Sequence, residues 1–195
     1  MASLAQSTPD QLAHASAAVG VLIHDIESDQ WSSPTPCTEW PVRRVVGHLV
    51  GMNLVFAAML AGEDAPARHD IADEELAARY DSSSALLVER FTSPGILERD
   101  FGGPMGSVSG ADRLQIRLYD LIAHGWDLAR ATGQALVLPE QMVEDSIAFA
   151  TAQLEGVDRS GRFHPAYPCP ASADPLDRLA AFLGRDVTWS RPVGA

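Results

Sequence analysis

No lysine occurs in the 195 residues; all 14 basic side chains are arginine. Without a lysine there can be no Schiff base, no covalent pyridoxal link and no Walker-type phosphate loop, each of which needs a primary amine. Positive charge is also scarce overall. Against those 14 stand 26 acidic residues, for a formal net charge of -12 at pH 7. So acidic a surface repels nucleic acid and anionic membranes, leaving small molecules and proteins as the expected partners, a second copy of the chain among them. Cysteine is nearly absent, with only Cys37 and Cys169. Two cysteines and no secretory n-region or cleavage site argue against a disulfide framework and for a cytoplasmic setting. Long apolar runs are equally few. The longest, about Val45 to Ala61, is near the lower limit for a membrane span and contains His48, Asn53 and two glycines, so it reads as a buried helix.

What is present is helical periodicity. With 46% hydrophobic residues the chain can bury a sizeable core, and a single domain over 1–195 is expected, with a bundle core at about 8–155 and a C-terminal extension at about 156–195. Thr8 and Pro9 form a start signal for a first helix running through LAHASAAVGVLIHDI. Pro41 is placed to start a second, carrying His48, which Gly62 ends. A third is predicted at about Asp73 to Phe91 on an imperfect stripe of Leu76, Ala77, Tyr80, Leu86, Leu87 and Phe91. The glycine-rich stretch GILERDFGGPMGSVSG predicts a short strand pair or an irregular loop. A fourth helix follows from near Gly110 to a left-handed stop at Gly133, then a fifth after Pro139 and a short one in LDRLAAFLG. The fold class is therefore all-α, a helical bundle with accessories.

Chemistry concentrates on the fourth helix. At roughly 100° per residue, Arg113, Arg117, Asp120, His124 and Asp127 fall in one narrow stripe bordered by apolar residues. Asp120 and His124, at i and i+4, can share one divalent ion, and His48 on the second helix supplies a third ligand if the two helices pack side by side. A His/Asp/His set leaves coordination positions free for water or substrate. Alternatives stay open. Arg117 and Asp120 also have the spacing of an ordinary ion pair, His48 of a core histidine, and His24 competes as third ligand. Asp127 could replace Asp120, but it suits better the role of accepting the other ring proton of His124. Gly47 and Gly51 beside His48 would let a neighbouring helix or a ligand approach closely. Arg113 or Arg117 is a candidate anchor for a substrate carboxylate. His14, His69 and His164 read as surface residues. Cys37 could be activated by a helix dipole or could pack as a small apolar side chain.

Three segments, TPCTEWPVRRVVGHLVGMN, LYDLIAHGWDLARATGQ and DRLAAFLGRDVTW, resemble the DinB-like superfamily. They are closest to its actinobacterial branch related to the metal-binding N-terminal domain of mycothiol-dependent maleylpyruvate isomerase. The resemblance implies a four-helix bundle whose divalent metal is held at the positions of His48, Asp120 and His124. Zinc suits that ligand set first, with nickel or ferrous iron as alternatives. It further implies a thiol cosubstrate, mycothiol, and isomerisation or S-transfer on a small electrophilic metabolite. Two features depart from the pattern: Asp120 stands where the isomerase-type motif has glutamate, and the isomerase's second domain finds no room in 195 residues. Metal binding therefore transfers more readily than isomerisation, and a non-catalytic, metal-stabilised binding or regulatory bundle is the alternative. A metal-dependent hydrolase ranks last, for want of a dedicated general base beyond Asp127.

Overall fold

The computed structural model describes residues 7–67, 71–102, 107–156, 159 and 164–192. Among these residues six helices and one hairpin follow one another: α1 Pro9–His24, α2 Val42–Ala61, α3 Asp73–Thr92, β1 Asp100–Phe101, β2 Val108–Ser109, α4 Gly110–Thr132, α5 Glu140–Leu154 and α6 Pro175–Phe182. Local sequence sets their ends. Thr8 and Gln11 form a reciprocal capping box at the start of α1. Ser109 caps α4 through the Asp112 amide, and Gly62 and Gly133 stop α2 and α4 in the left-handed conformation at φ 75° and 76°. The glycine-rich stretch resolves into the strand pair, with Asp100 opposite Ser109 and Phe101 opposite Val108; residues 103–106 lie outside the described ones, as does His69.

Helices α1 to α4 form the bundle. α1 and α2 each pack against both α3 and α4, so α1 stands diagonally across from α2. α5 and α6 lie against each other and against the outer side of α4. Enclosed by neighbours on all sides, α4 is buried along most of its length, including Arg113, Arg117, His124 and Asp127. That is why its polar stripe is an interior seam. One glycine makes the close packing possible: a Cβ on Gly125 would stand 2.7 Å from Val19 Cγ2 on α1 and 3.1 Å from Leu136 Cδ2. α2 has the length and mean hydropathy (1.6) of a membrane span, yet half of that window is buried inside the bundle against its neighbours. The stripe on α3 is interrupted by Ser83 and Ser84, which are buried and accept hydrogen bonds from Asn53 on α2.

Candidate metal centre

α2 and α4 pack side by side and bring His48, Asp120 and His124 together. Each imidazole presents Nε2 to the same carboxylate atom, with His48 Nε2 and His124 Nε2 both 3.6 Å from Asp120 Oδ1. One donor atom from each of the three residues lies within 4.8 Å of the other two. The ring centroids of the histidines are 4.7 Å apart at 64°. The group sits at the rim of the bundle: the His48 and Asp120 side chains are 24% and 22% exposed, His124 only 7%.

These donors fit a cation. A separation of 3.6 Å is too long for a hydrogen bond. It is close to the roughly 3.4 Å that separates two ligand atoms bound tetrahedrally at about 2.1 Å from one ion. His48 Nε2 is also buried and has no hydrogen-bond partner among the described residues. A buried ring nitrogen left unpaired is costly, and native structures leave few such atoms. Two imidazoles and a carboxylate are, in addition, a donor set that divalent transition ions accept.

Asp120 and His124 are held from behind. Arg117, with no exposed surface, donates from Nη1 to Asp120 Oδ2, leaving Oδ1 to face the histidines. Its Nε and Nη2 donate to Asn53 Oδ1 at 3.1 and 2.7 Å, and Nη2 also to the Leu49 carbonyl at 3.2 Å. His124 Nδ1 is 2.9 Å from Asp127 Oδ2, and Asp127 in turn accepts from Arg185. Trp40, in the turn before α2, stacks on His124 at 5.6 Å and 15°, and its centroid is 4.7 Å from that of His48. The exposed Arg44 lies over the Trp40 ring, its guanidinium carbon 5.2 Å from the centroid.

The electrostatics follow from burial opposed by partners. Burial pushes the Asp120 carboxyl up, but His48, His124 and Arg117 outweigh it and hold the group far below the usual carboxylate range. Asp127 shows the same contest, won by Arg185 and the His124 hydrogen bond. Burial lowers His124, against the pull of Asp127 and Asp120, and so favours the neutral imidazole that a metal requires.

Several expectations change here. His24 is no third ligand; it pairs with Asp81 at 2.9 Å on the α1–α3 face. Arg113 turns to the hairpin, its Nη2 donating to the carbonyls of Phe101 and Gly102, and every nitrogen of Arg117 is engaged inside the protein. No neighbouring helix among the described residues approaches Gly47 or Gly51 closely, since a Cβ at either would meet nothing within 4 Å. Cys37 is not activated: burial, reinforced by Asp127, pushes its thiol up to about 11 against the opposing pull of Arg185 and Arg44. His14 and His164 are exposed, as expected. Sequence reasoning missed Trp40, Asn53 and Arg185. All three lie within quoted motifs, Trp40 and Asn53 in TPCTEWPVRRVVGHLVGMN and Arg185 in DRLAAFLGRDVTW, and no spacing rule connects them to α4.

The comparisons agree with this architecture. Residues 12–129 match the family model of the mycothiol maleylpyruvate isomerase N-terminal domain. An uncharacterised protein of Mycobacterium tuberculosis (strain H37Rv) is 36% identical over 175 residues, covering 87% of this chain and 93% of the relative. A second from the same strain is 31% identical over 134 residues, 57% of this chain and 51% of that one. Among solved structures, a mutant of mycothiol-dependent maleylpyruvate isomerase superposes with a TM-score of 0.59 at 13% identity; the match covers 70% of this chain and 65% of the isomerase chain. At that identity the likeness concerns the fold. The family match shows that the chain belongs to the family of the mycothiol maleylpyruvate isomerase N-terminal domain.

Proposed function

We propose that the chain holds a divalent cation, zinc first and nickel or ferrous iron as alternatives, on His48, Asp120 and His124, and uses it in thiol-dependent isomerisation or S-transfer on a small electrophilic metabolite. Mycothiol is the proposed thiol. One observation carries the reading: two imidazole Nε2 atoms, one of them buried and unpartnered, stand at equal distance from one carboxylate oxygen. When bound, a cation of this kind lowers the pKa of a coordinated thiol or water, so that the anion is available at neutral pH.

The side chains of the chain do the rest. His48 and His124 present ring nitrogens across the α2–α4 interface, and Arg117 turns Asp120 so that a single oxygen faces them. Asp127 accepts the Nδ1 proton of His124, which leaves Nε2 as the free donor. Trp40 covers one flank of both rings and limits water there. Arg44, one helical turn before His48, has no carboxylate partner among the described residues and would be the cation that meets an anionic group on an incoming molecule.

The test is elemental analysis of freshly purified protein and of His48→Ala and His124→Ala, followed by turnover of maleylpyruvate with and without mycothiol. We expect near-stoichiometric metal in the parent, a sharp fall in both variants, and thiol-dependent turnover in the parent alone. Metal-loaded protein that turns over no electrophile with any thiol would refute the catalytic part. A second reading, a metal-stabilised binding or regulatory bundle, is favoured by the ligands' placement on two different helices, where an ion acts as a cross-link. A large fall in melting temperature on chelation, with no response of the site to thiols, would support it.

A further inference from the structure

The segment that follows α6 turns back toward the bundle and places a guanidinium beneath the triad. Arg185 is 8% exposed and Asp127 is fully buried. Arg185 Nη2 donates to Asp127 Oδ2 at 2.9 Å, Nε to Asp127 Oδ1 at 3.3 Å, and Nη1 to the Leu183 carbonyl at 2.9 Å. The turn depends on Gly184, whose φ is +88° and whose Cβ, if present, would lie 2.7 Å from the His164 carbonyl oxygen. Arginine only donates, so both Asp127 oxygens must accept from it. The capacity left on Oδ2 faces His124 Nδ1, 2.9 Å away. Arg185 Nη2 also stands 3.4 Å from Nδ1, but the shorter 2.9 Å contact is to a carboxylate oxygen, which can only accept, and so requires the proton on Nδ1; in a neutral ring the lone pair then sits on Nε2, the nitrogen that faces Asp120.

We propose that Arg185 is a positioning residue of the metal centre: through its two-point hold on Asp127 it fixes the tautomer and ring orientation in which His124 Nε2 can bind a cation. This rests on reading the triad as a metal site. Arg185 lies outside the stretch 12–129 that matches the family model, so the segment after α6 completes a site that the bundle helices leave unfinished. The same geometry disqualifies Cys37, His124 and Asp127 as a second cation site, although their donor atoms lie within 4.8 Å of one another. A cation there would meet the Arg185 guanidinium.

The experiment uses the full chain. Zinc affinity is measured by competition with a chromophoric chelator for the parent, Arg185→Gln, Arg185→Lys, Asp127→Asn and the Arg185→Gln/Asp127→Asn double variant. Nitrogen-15 spectra of the metal-free proteins report the His124 tautomer, and far-ultraviolet circular dichroism reports the helices. Arg185→Gln is expected to weaken zinc binding by about 10- to 100-fold with the helices retained. Its Nδ1–H population should fall, Arg185→Lys should recover part of the affinity, and the double variant should bind no more weakly than Asp127→Asn. Affinity of Arg185→Gln within twofold of the parent, or losses that multiply in the double variant, would overturn the proposal. Should Arg185→Gln fail to fold, Arg185→Lys decides: it is expected several-fold weaker than the parent, and equality overturns the proposal. A parent that takes up no zinc defeats the metal reading itself. The tautomer then judges Arg185 alone, and an unchanged Nδ1–H population in Arg185→Gln removes its positioning role.

Discussion

Replacing Arg117 by methionine tests whether the polar seam of α4 is part of the core. Arg117 has no exposed surface and holds Asp120 Oδ2, Asn53 Oδ1 and the Leu49 carbonyl at once. Methionine refills most of the volume but donates nothing. Removing one partner of a buried ion pair costs about 3–5 kcal/mol, because the other charge is left uncompensated. Asp120 retains 22% exposure and can recruit water, which favours the lower figure. The stranded Asn53 acceptor adds about 1–3 kcal/mol, offset in part by methionine packing. A net loss of about 3–5 kcal/mol is therefore expected. For a domain of this size it corresponds to a fall in melting temperature of roughly 10 °C. Urea titrations should show the midpoint fall at constant m. Adding Asp120→Asn should recover part of the loss, since no lone charge then remains. A single-variant cost below about 1 kcal/mol, the scale of an exposed pair, would refute the reasoning, as would a double variant equal to the sum of the singles.

Glycines that look alike in the sequence should respond with opposite sign. Gly125→Ala drives a methyl to 2.7 Å from Val19 Cγ2 and should destabilise by about 1–3 kcal/mol, whereas Gly51→Ala enters open space within a helix and should stabilise by up to about 1 kcal/mol. Thermal melts of both decide this, and effects of the same sign contradict the packing described. Cys37, with its thiol pushed up to about 11, should react with iodoacetamide in the chelated protein at pH 8 about a hundredfold more slowly than an unstructured cysteine. Its rate should rise about tenfold per pH unit on the way to pH 11; a rate that is already flat at pH 8 would show a thiolate that burial should prevent.

How far the molecule was legible depended on the range over which each feature is determined. Helix ends are local: Thr8 with Gln11, Pro41, Gly62 and Gly133 act within one turn, and each marks a boundary in the structure. The pairing of Asp120 with His124 follows from helical spacing alone. Arg117 was legible as an i,i+3 partner of Asp120, and the pair is present alongside the triad. Placing His48 required a tertiary assumption, that α2 packs beside α4. The hold of Asn53 on Arg117 spans 64 positions and that of Arg185 on Asp127 spans 58, and no periodicity reports contacts across such distances. Gly47 and Gly51 misled for a related reason. A glycine signals close approach only when something lies opposite it, and the opposing surface is a property of the fold.

The same reasoning bears on Asp120, where the isomerase-type motif carries glutamate. Asp120→Glu brings the chain closer to that motif, but the surroundings here are set for the shorter acid. Arg117 is enclosed and cannot retreat, and it fixes one carboxylate oxygen while the other stands 3.6 Å from both Nε2 atoms. An added methylene carries the carboxyl about 1.5 Å farther out. The glutamate must then either release Arg117 or crowd the imidazoles, and in each case the shared focus of the three donors is lost. We expect Asp120→Glu to weaken zinc binding by about tenfold and to cost about 1–3 kcal/mol of stability, read by chelator competition and urea titration. Equal or tighter binding with an unchanged urea midpoint would mean that Arg117 does not set the depth of the acid, and the shorter side chain at position 120 would carry no structural consequence.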